Sequence, residues 1–571
     1  MSSTLSKCQL MIQIYSEQYQ HSNRFLDLYL YYYSRRHFWT FVAEKSRIMV
    51  LGRSGQKEAG KQPSSKRHTL QAEPATSQPP EIPSENTPLP VQPNIKPILT
   101  IAPSGISDLT VGEDNTGQCL ATVIGNIGTF CFGIAIGWSA PAKAMVMHNH
   151  GYSFTPSKQE WTWVCALLTL GAATWSIPMG MLMKSQGCKR VMILQLVPIG
   201  LGWSMLIFAQ SVTMLYVGRF MQGMCGGALC VVVPVYTVEI SHIRHRGALV
   251  SVFHGAFMLG VIYSYAISPF LDLWIINIVN VALLLLFLLQ FLIPESPYYY
   301  WSRGNYSQAD KCLRWLHGKE YDTRRAIRQL TIEGTRSETS LRLKRKKARR
   351  SLCRASALTI MQTLSGSTVF IFYSINILLS LHLNYECSAA LAVADICGFL
   401  VCFMLVDVAG RRPLLIVTSL VTFVCTMYTG MCFQLKLITD HENSVSWASL
   451  VSMCLCSLAY TAGLGPLTWL INVELFVTPM RPLGCSLSAT FNWLTAFAVV
   501  MWYGSGPEYR LAKPGVFFLM ATVSLLVCIY GIIFLPETKG LTTHRIQQKL
   551  GGSMNQRNVP SIDSSSDESG Y

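Results

Sequence analysis

Charge is scarce in this chain: only 13% of its 571 residues are Asp, Glu, Lys or Arg, half are hydrophobic, and mean hydropathy is +0.32. That shortage argues against a string of soluble domains and makes lipid the natural solvent. Acid is scarcer than base, 30 residues against 46, for a formal net charge of +16. The excess lies largely in the flanks and one central loop, where it suits anionic headgroups better than nucleic acid. No Cys-x-x-Cys pair occurs; the 18 cysteines scatter through apolar runs such as Met453-Cys454-Leu455-Cys456. They read as small apolar filler, not as a disulfide framework or metal site. There is no Walker loop, no metal-ligand spacing and no Gly-x-Ser-x-Gly elbow, so neither an enzyme nor a cofactor is expected. No signal peptide is expected either: the aromatic stretch from Leu28 is broken by Arg35 and Arg36 before it forms an apolar core.

What is present is a set of twelve apolar segments near the ~20 residues an α-helix needs to cross a bilayer. They run over 119–138, 161–183, 191–209, 213–238, 248–267, 274–293, 358–381, 388–406, 414–433, 447–473, 483–503 and 515–535. The chain therefore divides into a disordered arm (1–115), a six-helix bundle (116–293), a basic linker with short helices (294–355), a second six-helix bundle (356–536) and a tail (537–571). Short loops carrying Lys184, Lys189, Arg190, Arg244, Arg246, Arg411, Arg412 and Arg481 alternate with loops poorer in base. Positive charge is retained inside, so both termini and the linker run containing Arg342, Lys344, Arg345, Lys346, Lys347, Arg349 and Arg350 are expected to be cytoplasmic. The proline-free sequon Asn305-Tyr-Ser307 then faces the cytoplasm, unglycosylated, and the acidic serine tail from Ser561 to Ser569 reads as a solubilising tail open to phosphorylation.

The two bundles repeat one another. Glu239 precedes Arg246 by seven residues, as Glu474 precedes Arg481; Pro294-Glu295-Ser296 matches Pro536-Glu537-Thr538; the loop at Gly187 matches that at Gly410. The offsets run only from 223 to 242 residues, as in carriers built by duplication.

These residues carry a resemblance to the sugar-porter branch of the major facilitator superfamily, together with Arg219 and Gly223, Pro234-Val-Tyr236, Gln362-Thr-Leu-Ser-Gly366, Gly463-x-Gly465-Pro466 with Trp469, and Asn492-Trp493. Within it the chain is most similar to insect facilitated hexose and trehalose transporters. The resemblance implies an all-α membrane protein of the major facilitator fold, twelve helices in two six-helix pseudo-repeats. It assigns sugar contacts to Gln362, Trp469, Asn492 and Trp493, and it marks four cavity positions where the usual amide is replaced: His254, Thr363, Thr368 and Asp395. It also implies a charge network of Arg219, Glu239, Arg246, Lys189, Asp407, Arg411, Arg412, Glu474 and Arg481 that clamps the bundles at the cytoplasmic face. The second half keeps its full set. In the first, Lys184 stands for the usual acid and Cys188 for the usual first arginine.

His254 and Asp395 both lie at bilayer depth by helix rise, where ionisable groups face cavities and find partners; a His254–Asp395 pair across the halves is one expectation. The leading functional expectation is facilitative uniport of a hexose or trehalose at the plasma membrane. Proton-coupled sugar porters often carry an aspartate in the first segment, where this chain has Ile134-Ala-Ile136. The alternatives are proton symport through Asp395 or His254, and a nutrient-sensing transceptor signalling through the N-terminal arm. The expected partners are a sugar and the bilayer; no nucleic acid and no obligate protein partner are expected.

Overall fold

A computed structural model describes residues 115–550 apart from 148–150, 339–340, 384–386, 437–441 and 506–513; the N-terminal arm, the acidic tail and the side chains of linker residues 332–347 lie outside the described residues. Among the described residues twelve helices are long and apolar enough to cross a membrane: span 1 (Thr116–Met147), span 2 (Lys158–Gln186), span 3 (Cys188–Ile207), span 4 (Val212–Ile240), span 5 (Arg246–Ile267), span 6 (Leu273–Leu292), span 7 (Ala348–Ser380), span 8 (Ser388–Ala409), span 9 (Arg411–Leu435), span 10 (Val445–Glu474), span 11 (Thr478–Gly504) and span 12 (Pro514–Ile533). Each of the twelve apolar segments lies largely within one of them. Spans 1 and 7 exceed thirty residues because their helices continue past the apolar stretches, span 1 on to Met147 and span 7 back to Ala348.

Local chemistry explains the boundaries. Ser157 begins span 2 with a capping box: its hydroxyl accepts from Glu160 N, and the Glu160 carboxylate accepts from Ser157 N at 2.7 Å. Spans 2 and 4 approach closely through small residues; a Cβ on Gly223 would lie 1.9 Å from the Leu168 carbonyl oxygen. Lipid offers no hydrophobic drive for helix association, so such close backbone packing supplies dispersion energy instead. Large apolar side chains on the outer faces, Val408, Met404 and Ile533 among them, are mostly exposed, as a lipid-facing surface requires.

Spans 7 and 10 are not regular. Each contains a π-type turn, Thr363–Ser367 in the first and Tyr460–Leu464 in the second. Such bulges re-aim side chains and free backbone groups, and they recur at functional sites.

Between spans 6 and 7 lie helices Pro297–Ser302, Tyr306–His317 and Thr323–Glu338, and a helix over Thr543–Leu550 follows span 12. Asn305 caps the second of these, accepting from Gln308 N at 3.2 Å. The Cys312 thiol donates to the Glu295 carbonyl, and His317 is buried, stacked on Tyr321 with ring centroids 4.6 Å apart. Burial pushes the His317 imidazole down to about 4, and the nearby His242 adds to the shift. The native state thus holds it neutral while the unfolded chain binds a proton below ~6.5. Stability from this helix is full above that value and falls as pH drops from 6.5 toward 4. Amide exchange over residues 306–317, corrected for intrinsic rate, is expected to show a loss of about 2 kcal/mol between pH 7 and 5. His317→Asn should flatten that dependence; an equal slope in the variant would assign it elsewhere.

Candidate functional site

Two structures define the site: a charged lock at the ends of spans 2, 4, 5, 8, 10 and 11, and a cavity between the halves. The lock repeats almost atom for atom. Glu295 accepts from the backbone N–H of Cys188 (2.8 Å) and Lys189 (3.0 Å), capping span 3. Glu537 accepts from Arg411 N (3.1 Å) and Arg412 N (3.0 Å), capping span 9 in the same way. Anionic caps suit helix N-termini. Burial raises the Glu295 carboxyl above its ordinary value, while the four N–H groups of Lys189, Ser296, Cys188 and Arg190 pull it back. The loop geometry needs glycine: Gly187 and Gly410 have φ of +90° and +96°, and a Cβ on either would meet its glutamate oxygen at 2.4 or 2.9 Å.

The next shell repeats too. Ser296 Oγ donates to Glu239 as Thr538 Oγ1 donates to Glu474 at 2.6 Å. Lys189 Nζ donates to Phe291 O at 2.9 Å, closing span 6, and Arg412 Nε donates to Gly531 O at 3.1 Å, closing span 12. Lys189 and Arg412 therefore cap helix C-termini.

The halves differ where they touch. Arg411 is buried and bridges Asp407 (2.9 Å) and Glu474 (3.5 Å). Asp407 in turn accepts from Gly247 N (3.1 Å) and Ala248 N (2.7 Å) at the start of span 5, so a carboxylate of one half caps a helix of the other. Charges also act crosswise: Arg481 on Glu239 and Arg246 on Glu474. In the first half, Cys188 occupies Arg411's place with its sulfur only 4.0 Å from Glu239. Lys184 is exposed, and the positions matching Gly247 and Ala248 are Pro482 and Leu483. Proline has no N–H, so both the acceptor and half the donor pair are missing. A cleft with about 1060 Å³ of free space opens there, lined by Lys184, Cys188, Glu239, Arg303, Pro479 and Pro482. The double variant Lys184→Asp/Cys188→Arg is expected to strengthen closure by about 1–2 kcal/mol through Leu483 N–H and a new guanidinium–Glu239 pair, slowing turnover roughly tenfold. Unchanged turnover would show that the lost members do not set the rate.

Arg219 stands apart. Fully buried in span 4, it donates to Ala135 O and Ser139 Oγ at 2.5 Å and to Gln222 Oε1 at 2.9 Å, and lies over the Trp138 ring. It is twenty residues from Glu239, roughly 30 Å along the helix, so it fastens spans 1 and 4 at the end opposite the lock.

The cavity brings together Gln362, Thr363, Thr368, Trp469, Asn492, Trp493 and His254. Thr363 donates to Asn492 Oδ1 at 2.6 Å, which leaves the Asn492 amide hydrogens for a ligand. Gln362 donates to Tyr460 OH. Trp469 meets Phe253 edge-on at 5.7 Å, Trp493 meets Phe132 at 5.7 Å, and His254 lies against Tyr460 at 5.8 Å. His254 Nε2 is buried and has no hydrogen-bond partner among the described residues. Amides and an imidazole among aromatic walls can hydrogen-bond hydroxyls while apolar ring faces rest on indoles.

The expected His254–Asp395 pair is not formed. Asp395 accepts from Ser457 Oγ and lines a different chamber, with about 710 Å³ of free space, that shares only Ser367, Ile371 and Tyr460 with the first. Tyr460 stands between them because the π-type turn of span 10 begins at that residue. Neither Tyr460 nor the two capping glutamates were singled out as site residues by sequence reasoning. The duplicated Pro-Glu-Ser and Pro-Glu-Thr were a signal for the caps; nothing in the sequence marked Tyr460.

Both ends of the cavity are closed. On the lock side Asp407 holds the start of span 5, and Gly180 of span 2 packs against Pro482 and Ser486 of span 11. At the far end Tyr265 OH donates to Ile371 O at 2.8 Å and lies 3.2 Å from Ser374 Oγ, and Gly504 abuts Thr162. With both faces closed the structure is occluded.

The family model described as "Sugar (and other) transporter" matches residues 120–550. Glucose transporter type 3 of Drosophila melanogaster is 48% identical over 462 residues, covering 80% of this chain and 90% of that protein. Facilitated trehalose transporter Tret1 of Bombyx mori is 28% identical over 452 residues, covering 77% and 88%. Among solved structures, the major facilitator proton:xylose symporter XylE bound to 6-bromo-6-deoxy-D-glucose superposes with a TM-score of 0.67 over 76% of this chain and 100% of its own, at 19% identity, a likeness of fold.

Proposed function

The chain belongs to the sugar transporter family, and on that premise we propose that it moves a hexose or trehalose down its gradient by alternating access. The observation that carries this reading is the occluded cavity between the halves, where two amides, an imidazole and two indoles line one space. Its chemistry matches a polyhydroxylated ring: hydrogen-bonding groups for the hydroxyls and aromatic faces for the C–H surfaces. The occluded form is the intermediate of a cycle in which lock and far-end seal open in turn. Release of Asp407 from the start of span 5 opens one face; release of Tyr265 from span 7 opens the other.

Downhill transport is favoured by span 1. Its cavity-lining residue is Ile136, which cannot carry a proton, and two relatives similar in sequence are named as a glucose transporter and a facilitated trehalose transporter. The protein is a multi-pass membrane protein with twelve apolar spans. By the positive-inside rule the lock, the linker and both termini face the cytoplasm, with the plasma membrane as the site of action. The test is uptake of radiolabelled glucose, fructose and trehalose by transport-deficient cells: saturable entry that stops at equal concentrations supports the reading, and concentrative uptake contradicts it.

A further inference from the structure

The chamber beside the sugar cavity is not explained by transport of neutral sugars. Asp395 lies in span 8, seven residues in from its start, and is buried. Its hydrogen-bond donor is a neutral hydroxyl, Ser457. Among the described residues no lysine, arginine or histidine lines the chamber; the other titratable groups there are Tyr265, Tyr460 and Cys456. A carboxylate at membrane depth is costly without a countercharge, and this one faces open space. Around it stand the hydroxyls of Ser367, Ser374 and Thr422 and the rings of Tyr265, Phe370 and Tyr460. A carboxylate, hydroxyl acceptors and aromatic faces together form the recognition chemistry of an ammonium group.

The position of the chamber adds a second argument. Tyr265, Ile371 and Ser374 both line it and form the far-end seal. Tyr460, held by Gln362, separates it from the sugar cavity. A solute entering past the seal therefore meets Asp395 before it reaches the indoles.

We propose that Asp395 is a specificity-determining residue that makes this chamber a subsite for ammonium-bearing sugars, aminohexoses, in addition to neutral ones. This rests on the sugar-carrier reading above. The ammonium supplies the charge that the protein does not, and the ring then passes Tyr460 into the aromatic cavity.

The experiment compares uptake of radiolabelled glucosamine and glucose by the full-length carrier in transport-deficient cells, for wild type, Asp395→Asn and Asp395→Glu. Wild type should take up glucosamine. Losing the charge partner of a desolvated ammonium should lower the glucosamine-to-glucose ratio of kcat/KM about tenfold or more in Asp395→Asn, with partial recovery in Asp395→Glu. An unchanged ratio in Asp395→Asn overturns the proposal, as does wild-type uptake of glucose without glucosamine. So does glucose uptake that acidifies the cytoplasm in wild type and not in Asp395→Asn, since the carboxylate would then carry a proton. If neither sugar is taken up, the functional reading fails, and thermal stabilisation of purified protein decides this inference separately. Stabilisation by glucosamine that disappears in Asp395→Asn supports it; none in wild type refutes it.

Discussion

Arg411→Ala should release the lock and drive the carrier toward the form open on that side. The guanidinium is almost wholly enclosed and bridges two carboxylates, Asp407 and Glu474. Removing one partner of a buried ion pair costs about 3–5 kcal/mol because the remaining charge is stranded. Here two carboxylates lose their shared cation, and Asp407 is also the group that caps span 5 of the other half. When the lock opens, water reaches both carboxylates, so the open form escapes most of that cost. The population ratio should therefore shift several-hundred-fold. Cys485 is buried in span 11 near this end, and it reports the change. Labelling by a maleimide applied from the lock side, with the modified cysteine identified by mass spectrometry, should accelerate strongly in Arg411→Ala and only modestly in Arg411→Lys. Unaltered labelling would mean that the bridge is a topological marker with no role in closure. The same substitution at Cys188, its counterpart in the first half, should do little, because its sulfur makes only a 4.0 Å contact with Glu239.

Gln362→Leu should nearly abolish sugar transport while leaving the protein folded. The side chain is close to isosteric and sits in the cavity wall of span 7, at the entry to its π-type turn. Two things are lost: hydrogen bonding to the sugar, and the bond that holds Tyr460 between the chambers. A site built to pair hydroxyls discriminates strongly once a polar partner is missing. With each lost charge-neutral bond worth about 1–3 kcal/mol when its partner stays buried, kcat/KM should fall roughly a hundredfold. Tyr460→Phe separates the two effects. It removes the partition bond but spares the Gln362 amide, and should cost tenfold or less. Equal losses in the two variants would place the whole effect on the partition.

Much of this molecule was legible in its sequence, for reasons that can be named. Lipid demands long uninterrupted apolar helices, so the twelve spans show as hydropathy alone. The duplication shows because each half reuses the same capped loop, and Gly187, Gly410, Glu239 and Glu474 recur at matched positions. The resemblance groups eight residues at the cavity; seven of them, Gln362, Thr363, Thr368, Trp469, Asn492, Trp493 and His254, share one space, and Asp395 does not. What was not legible depends on azimuth and depth. Asp395 and His254 lie at bilayer depth but face different chambers, and their separation follows from the placement of Tyr460, which periodicity does not reveal. Arg219 was grouped with the lock by motif, although its distance along span 4 already set it at the other end. Pro294-Glu295-Ser296 and Pro536-Glu537-Thr538 were read as marks of helix ends. Their function as reciprocal N-terminal caps appears only when span 6 meets span 3 and span 12 meets span 9.

The unequal halves bear on mechanism. One lock joins the halves through Asp407, Arg411 and the start of span 5; its counterpart has lost an acid, an arginine and a backbone donor, leaving a cleft lined by Lys184 and Arg303. Closure of this face therefore depends on the second half, which is why Arg411 is expected to matter far more than any residue of the first.

The central claim is facilitative sugar transport through the cavity of Gln362, Asn492 and Trp469, and time-resolved uptake into proteoliposomes tests it most directly. With purified wild-type protein and radiolabelled glucose or trehalose, internal sugar should rise to the external concentration and no further, at the same final level with or without an imposed proton gradient, and Gln362→Leu should slow the approach roughly a hundredfold. Accumulation above the external concentration under a proton gradient, or entry at the rate of empty liposomes, would contradict it.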